Sequence, residues 1–422
     1  MYTRDVTIEI EAAGPDDFPA AIWPALNVFG MTGLSDEELE QFRYHYDEVR
    51  VLGVRDGDDW VATIGDIAFE LTVPGGAALP AAGVTIAGVL PTHRRQGILT
   101  ALMAKLLDDT VERGWPVAIL LASEASIYAR FGYGVASRFQ KVKVDPRHVN
   151  LRTSPDDNGS LRLVSDKVEA TRLAAVAWDN YRSTRPGLTS RADSTWEDFR
   201  RDLEGDRDGA SGWNWVIHFD AEGEADGYAV YRMKEEEREA LPAGSLKVQE
   251  LVAATTAVEI SLFRFLCTVD LVRSVEFAYR PVDDPLLWLF EDHRQYVVTQ
   301  LSDFLWLRVI DVATTLAART YGTTDEFVLE VDDQFRPSSG GRFRLSTRPD
   351  GATCERIEPG GGDDDYRAVL AMDSSTLATL TLAAESASTL AAAGRIRASP
   401  EALTRADACF RSGPAPFAIT DF

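Results

Sequence analysis

The sequence predicts an α/β protein with mixed (α+β) sheets, divided into three segments. Three observations carry that expectation. At 422 residues the chain has room for about three domains of ~150 residues each. Over the first 145 residues, runs with the two-residue alternation of strands are separated by runs with helical spacing. The strand-helix-strand order then recurs in the middle of the chain, and a smaller mixture of strands and helices closes it.

The first strand is expected over residues 6–10 (VTIEI), where apolar and polar residues alternate. Pro15-Asp16-Asp17 opens a helical run through Ala21, Leu26 and Phe29. A second helix begins at Ser35, an N-cap residue followed by Asp36, Glu37 and Glu38 in the turn where the helix dipole favours negative charge. Residues 49–54 and 60–73 flank the turn Asp56-Gly57-Asp58-Asp59 as a hairpin. A strand over 83–89 ends at Leu90-Pro91. A helix over 97–113, a buried strand over 116–122, a short helix over 125–131 and one strand over 135–144 complete the segment.

Residues 145–160 (DPRHVNLRTSPDDNGS) read as a linker, because Pro, Asn, Gly and Ser replace the periodic pattern. The second segment has a helix over 165–181, a turn region over 185–191, and strands over 213–219 and 225–233. The EEERE run at 235–239 reads as a solvated loop. A strand over 247–254, a helix over 256–269 and a strand over 274–279 follow. The third segment has strands over 327–331, 341–347 and 366–371 and helices over 374–381 and 401–410. The expected domains are therefore 1–150, 151–308 and 309–422.

Composition narrows the functional classes. With 43 Lys+Arg against 67 Asp+Glu the net charge is −24, a field that repels nucleic acid and anionic lipid and suits cationic ligands. Three scattered cysteines (Cys267, Cys354, Cys409) offer no disulfide framework. The five histidines lack zinc-site spacing, so no metal is expected. The Gly360–Asp365 run reads as a solvated turn, since an EF-hand loop alternates its carboxylates and ends in a distant Glu. No apolar stretch is long enough for a signal peptide or a membrane span, which points to the cytoplasm unless an unconventional route exports the chain.

The most informative stretch is residues 84–107, VTIAGVLPTHRRQGILTALMAKLL. A strand enters a turn with two arginines and a glycine, and a helix starts where its backbone amides are unpaired and its dipole is positive. Gly97 allows close backbone approach, Arg94 and Arg95 add charge, and the amides from Arg95 to Thr100 are natural phosphate donors. Strand, glycine turn and helix also recur in many α/β folds without a phosphate.

Arg94-x-x-Gly97 after this strand resembles the acetyl-coenzyme A motif of the GCN5-related N-acetyltransferases (GNAT). Residues 122–137, ASEASIYARFGYGVAS, sharpen the resemblance to the enhanced intracellular survival (Eis) family. That resemblance covers the whole chain and implies two GNAT-like domains, a sterol-carrier-protein-like domain and a homohexamer. Leu99 stands where the general motif has Gly or Ala. The strand LKVQELVAAT of the second segment continues into TAVEISLF without Arg-x-x-Gly, so this copy is expected not to bind coenzyme A.

The resemblance further implies a cofactor slot. Ala87, Gly88 and Val89 would face the pantetheine arm; Arg95, Gln96, Gly97, Ile98, Leu99 and Thr100 would hold the pyrophosphate; Ser123 and Glu124 would complete it. Ser123 is also a candidate N-cap for the helix that follows. Tyr128 matches the family's general acid, although Tyr128, Phe131 and Tyr133 alone also read as aromatic packing. Phe422 matches its base, the C-terminal carboxylate, whose pKa burial would raise. Asp421 adds charge for an ammonium, and residues 416–422 (PFAITDF) are apolar enough to dock against the alternative of a frayed end. The implied reaction is direct acetyl transfer from acetyl-coenzyme A, as co-substrate, to small cationic amines of aminoglycoside type or to lysine side chains of proteins. A lipid or sterol carrier acting through the third segment, or an inactive assembly protein, stands as the alternative.

Overall fold

The computed structural model describes residues 8–46, 48–152, 157–238, 240–358, 368–411 and 413–422. Strand β1 (Ile10–Ala13) precedes two single turns of 3-10 helix and the six-residue α1 (Trp23–Val28). The single helical run expected from residue 15 is thus broken. Pro19 and Pro24 lack the amide that a continuing helix needs, and each restricts the residue before it. Helix α2 (Asp36–Tyr46) starts where expected, because Ser35 Oγ accepts the Glu38 amide at 3.3 Å and Glu38 accepts the Ser35 amide at 2.7 Å. The hairpin β2 (Arg50–Asp56) and β3 (Asp59–Thr72) leads to β4 (Ala78–Val89). Helix α3 (Ile98–Glu112) buries Ile98, Leu102, Met103, Leu106 and Leu107 as one stripe. Then come β5 (Val117–Leu121), α4 (Ala125–Tyr128), β6 (Gly134–Val135) and β7 (Arg138–Val144).

The middle of the chain forms β8 (Ser160–Val164), α5 (Lys167–Arg182), α6 (Asp193–Arg201), β9 (Asn214–Phe219), β10 (Ala225–Lys234), the two-residue strands β11 (Glu237–Arg238) and β12 (Leu241–Pro242), β13 (Gly244–Ala253), α7 (Thr256–Cys267), β14 (Val272–Pro281), α8 (Leu286–Leu289), β15 (Val297–Asp303) and β16 (Leu305–Val309). The sequence pattern missed β8, α6, β12, α8, β15 and β16. It also read as a loop the charged run that pairs as β11. The last part contains α9 (Val312–Ala317), β17 (Asp325–Asp332), β18 (Gly341–Arg348), β19 (Gly351–Ile357), β20 (Ala368–Asp373), α10 (Ser374–Thr381), α11 (Ala387–Ala392), β21 (Ile396–Arg397) and α12 (Pro400–Phe410). The Gly360–Asp365 run, and the start of the strand expected at Tyr366, lie outside the described residues, as does the start of the first expected strand.

Among the described residues three large sheets form, ordered β1-β2-β3-β4-β5-β16-β6, β15-β7-β14-β13-β10-β9-β8 and β19-β18-β17-β20-β21, beside the two-stranded β11-β12. The one strand expected over 135–144 is therefore two strands in different sheets. Ser137 makes the break: its carbonyl accepts the Phe304 amide at 3.0 Å and its hydroxyl the Leu305 amide at 3.1 Å. Strand β6 stays in the first sheet while β7 pairs with β14 and β15 in the second. In return β16 enters the first sheet between β5 and β6, in register Leu305↔Leu121 and Leu307↔Gly134.

The first sheet is buried on both faces, which explains its nearly continuous apolar runs. On one face Ala82, Val84, Ala118 and Leu120 pack under α3. On the other, Ala81, Val117, Ile119 and Leu305 share a core with Phe327, Leu370, Leu377 and Phe410 of the third domain. The sheet is thereby fixed between its own helix and the third domain, which sets the geometry of the site at its open end.

Candidate functional site

At the centre of the first sheet β4 outruns its neighbour β5. Strands β4 and β5 pair in parallel only from Ala81↔Val117 to Val84↔Leu120, although β4 runs on to Val89. Pairing with β3 shifts register between Thr63 and Gly65, where Ile86 takes the left-handed value φ 43. A β-branched residue there is strained, and the bulge lies just past the last β4–β5 pair, where β5 itself ends at Leu121. Beyond Val84 no strand pairs with β4 on the β5 side, which leaves Ala87, Gly88 and Val89 without a strand partner on that edge. Gly88 has its own reason to be glycine: a Cβ would lie 2.7 Å from Ala25 Cα of α1.

Beyond this edge, the 94–97 turn places two residues left-handed, Arg95 at φ 63 and Gly97 at φ 82. Gly97 caps α3 without a side-chain hydrogen bond, so the amides of Ile98, Leu99 and Thr100 point out unpaired. The expected loop residues divide in their roles. The Ile98 side chain is buried beneath α3, and Leu99 packs against the same core, so these two offer only backbone. Arg94 and Arg95 are exposed, with Arg94 Nε donating to the Val89 carbonyl at 3.4 Å. Gln96 Oε1 is buried without a partner among the described residues. Free helix N–H groups beside two arginines suit a phosphate; the Gln96 oxygen, itself an acceptor, adds nothing to that.

Ser123 and Glu124 are exposed at the end of β5. The expectation that Ser123 caps the next helix is corrected, because Glu124 occupies that position and contributes no side-chain bond. Ser123 lies one residue too early to reach the first-turn amides, and its hydroxyl bonds Tyr128 instead. Tyr128 is 6% exposed and meets Tyr133 edge-on at 6.3 Å. Burial raises the Tyr128 pKa, the Ser123 bond opposes this and the Glu124 charge adds to it. The phenol therefore stays protonated and is a hydrogen-bond donor.

Phe422 approaches from the opposite face of the sheet. Its ring packs 4.8 Å from that of Phe69, beside Gly83, whose Cβ would lie 3.1 Å from it. The preceding residues are docked. Arg185 Nη1 donates to the Ala415 carbonyl at 2.9 Å and to Asp283 at 2.6 Å, and the Ala415 amide donates to Asp283 at 2.8 Å. The Phe417 amide donates to the Pro186 carbonyl at 2.9 Å, and Arg191 Nε donates to Thr420 Oγ1 at 3.2 Å. Phe417 through Thr420 are buried. The segment that holds them is itself stitched to β3, through Thr72 to Leu188 and Gly187 to Thr72 at 2.9 Å each.

Phe422 lines a cavity of about 290 Å³ together with Phe42, His45, Glu48, Phe69, Asp198 and Asp421. A polar cleft of about 620 Å³ on the second domain shares Asp198 and Asp421 with it. Desolvation raises the Asp421 carboxyl pKa against the opposing bond from the Phe422 amide. One wall is a seam between α2 and α6 that sequence reasoning missed: His45 bonds Asp198 at 2.9 Å and Gln41 donates to it at 2.7 Å. Burial works against His45 charging, but the Asp198 bond and the Asp198 and Glu48 charges outweigh it and raise its pKa. Partners some 150 residues apart leave no local signal. Helix α6, missed in the sequence, did leave a signal that could have found it: Trp196 and Phe199 share a face and Arg200 and Arg201 end it.

The second domain repeats the strand and helix without the loop. Helix α7 follows β13 almost directly, and Thr255 Oγ1 accepts the Val258 amide at 3.3 Å, so this N-terminus is already capped. Where the slot would lie, Glu250 is buried in an ion pair with Arg191 at 2.6 Å and accepts the Tyr228 hydroxyl at 2.6 Å. Burial pushes the Cys267 and Cys354 thiols up to about 12 and raises that of Cys409. Among the described residues, no group of three His, Cys, Asp or Glu side chains is placed to hold a metal ion, and no helix is long and apolar enough to cross a membrane.

Residues 9–136 and 187–309 each match a family model of an acetyltransferase (GNAT) domain, and residues 312–419 match a sterol carrier protein domain. An uncharacterized N-acetyltransferase of Streptomyces avermitilis is 35% identical over 413 residues, 98% of this chain and 99% of its own. The N-acetyltransferase Eis of Mycobacterium tuberculosis is 35% identical over 356 residues, 82% of this chain and 81% of its own. The crystal structure of Eis1 from Mycobacterium abscessus is similar with TM-score 0.82 and 31% identity, over 98% of this chain and all (100%) of that one.

Proposed function

Since the chain belongs to the Eis family of GCN5-related N-acetyltransferases, we propose that it transfers acetyl from acetyl-coenzyme A directly to an amine held in the Phe422 cavity. The observation that carries this reading is that β4 outruns β5: their pairing ends at Val84↔Leu120 while β4 continues to Val89. Tyr128 and Phe422 pack on opposite faces of this sheet. The co-substrate supplies a thioester-activated acetyl group. The free β4 edge at Ala87–Val89 offers N–H and C=O groups to the pantetheine amides. The loop Arg95–Thr100 offers amides and charge to the pyrophosphate, and Ser123 and Glu124 border the slot.

Tyr128 acts as the acid. A phenol near pKa 10 giving its proton to a thiolate near 8.5 is uphill by roughly 2 kcal/mol, and burial of Tyr128 widens the gap. Its main contribution is therefore a hydrogen bond to the developing negative charge, with proton transfer late. The Phe422 carboxylate takes the proton from the amine, while Glu48, Asp198 and Asp421 draw the ammonium in. The three raised thiols disfavour a covalent acyl-cysteine route.

Aminoglycoside-type amines and lysine side chains are the proposed acceptors, supported by the acidic wall and by the polar cleft that extends it. A thiol-release assay with acetyl-coenzyme A across polyamines, aminoglycosides and lysine peptides tests this; no release with any amine would remove the enzyme reading. The family likeness extends the proposal to a homohexamer in the cytoplasm, and light scattering at six times the chain mass tests the assembly.

Gly97→Val is expected to weaken acetyl-coenzyme A binding at least tenfold in a folded protein. A Cβ at Gly97 meets nothing nearer than Ile8 Cδ1 at 4.0 Å. The damage is thus conformational: a β-branched residue is strained at φ 82 by ~1–3 kcal/mol, and relaxing it turns the amides away. Unchanged affinity by calorimetry would make the loop merely structural.

A further inference from the structure

We propose that Arg308 and Asp333 are positioning residues through which the third domain fixes the turn that bears Tyr128. The proposal rests on Tyr128 acting as the acid. Arg308 lies on β16, the strand that returns from the second domain into the first sheet, and is fully buried. Its Nη2 donates to Asp333, which is also buried and follows β17 in the third domain. Its Nε and Nη1 have no hydrogen-bond partner among the described residues.

The guanidinium stands against Gly132. A Cβ there would collide with Arg308 Nη1 and lie 2.6 Å from Ser374 Oγ of α10. Gly132, at φ 84, ends the single turn that continues α4 past Tyr128, with its amide donating to the Ala129 carbonyl at 3.0 Å. Two further contacts come from the same third-domain loop. Phe335 sets its ring 4.9 Å from Phe131. The Arg336 amide donates to Asp333 at 2.8 Å while its guanidinium pairs with Asp108 of α3. One loop thus grips the strand beneath the turn, the ring inside it and the helix beside it.

A buried ion pair is a weak source of net stability compared with apolar packing. What this pair adds is direction, because a guanidinium and a carboxylate meet in only a few geometries. Tyr128 is held at its hydroxyl by Ser123, which is exposed, so its aim depends on the backbone of residues 128–133. A displacement of about 1 Å there is enough to lower turnover by up to 100-fold.

The test is a double-mutant cycle on the full chain. Asp333→Asn, and separately Arg308→Met with Asp333→Leu, which removes both charges and keeps the volume apolar, are each combined with Tyr128→Phe. In the parent, each replacement is expected to lower kcat by about 10- to 100-fold with the KM for acetyl-coenzyme A unchanged. In the Tyr128→Phe background neither should lower kcat further, because the group they aim is gone. Equal losses in both backgrounds, or full turnover of a folded Arg308→Met/Asp333→Leu protein, would overturn the proposal. Full turnover of Tyr128→Phe alone, with Arg308 and Asp333 intact, would instead remove the Tyr128 reading and this proposal with it.

Discussion

A single glycine appended to Phe422 is expected to lower acetyl transfer by about 10²- to 10⁴-fold, the range for losing a positioned acid or base, while acetyl-coenzyme A binding is unchanged. The Phe422 ring is wedged against Phe69 and Gly83, and Ala415, Phe417 and Thr420 are each tied to the second domain. The docked chain cannot slide back to make room. The extension converts the Phe422 carboxylate to a neutral amide and moves the charge by about 3.5 Å. Deleting Phe422 should be as harmful, and an N-terminal tag serves as the control. Asp421 is the nearest substitute, with its carboxyl raised by burial toward basicity. Residual activity of the extended protein that disappears on Asp421→Asn would identify that substitute. Full turnover by the extended protein would eliminate the terminal-carboxylate mechanism.

Tyr128→Phe should lower kcat by a similar factor, about 10²–10⁴, with little change in Tm. The ring keeps its contact with Tyr133 and its place in the core, and only a hydroxyl bonded to an exposed serine is lost. The pH profile makes the role more specific. An acid must be protonated to act, and burial raises the Tyr128 pKa above its ordinary value near 10. Activity on the alkaline side should therefore not fall on account of Tyr128 until above about pH 10. A large fall in Tm with normal turnover per folded molecule would mean that Tyr128 is only packing.

What could be read from the sequence was local. The Ser35 cap, the β2–β3 hairpin and the β4–loop–α3 passage are each specified by residues within about twenty positions, and the structure reproduces them with small shifts of boundary. The loop residues were legible because left-handed Gly97 and a free helix start leave a local signature. Tyr128 and Phe422 were singled out only through resemblance, since nothing near Tyr128 separates an acid from a packed ring. What stayed hidden depends on distant partners. The α2–α6 seam joins His45 to Asp198, the Arg185–Asp283 clasp holds Ala415, and Arg308 meets Asp333 in another domain. The break at Ser137 was invisible because alternation continues across it; only the arrival of Phe304 and Leu305 decides where the strand changes sheets.

That exchange of strands sets a timetable for synthesis. The first sheet has its β5 edge complete only when β16 is present, and Val309 leaves the ribosome roughly 170 residues after Val135. At ~5–20 residues per second the wait is roughly 9–35 s, during which β5 presents an unpaired edge of Val117, Ala118, Ile119, Leu120 and Leu121. Such an edge is a template for pairing with other chains. β7 likewise waits for β14 until residue 281 and for β15 until residue 303. A fragment that stops near residue 150 keeps the β5 edge unpaired, so the first domain expressed alone is expected to aggregate where the full chain does not.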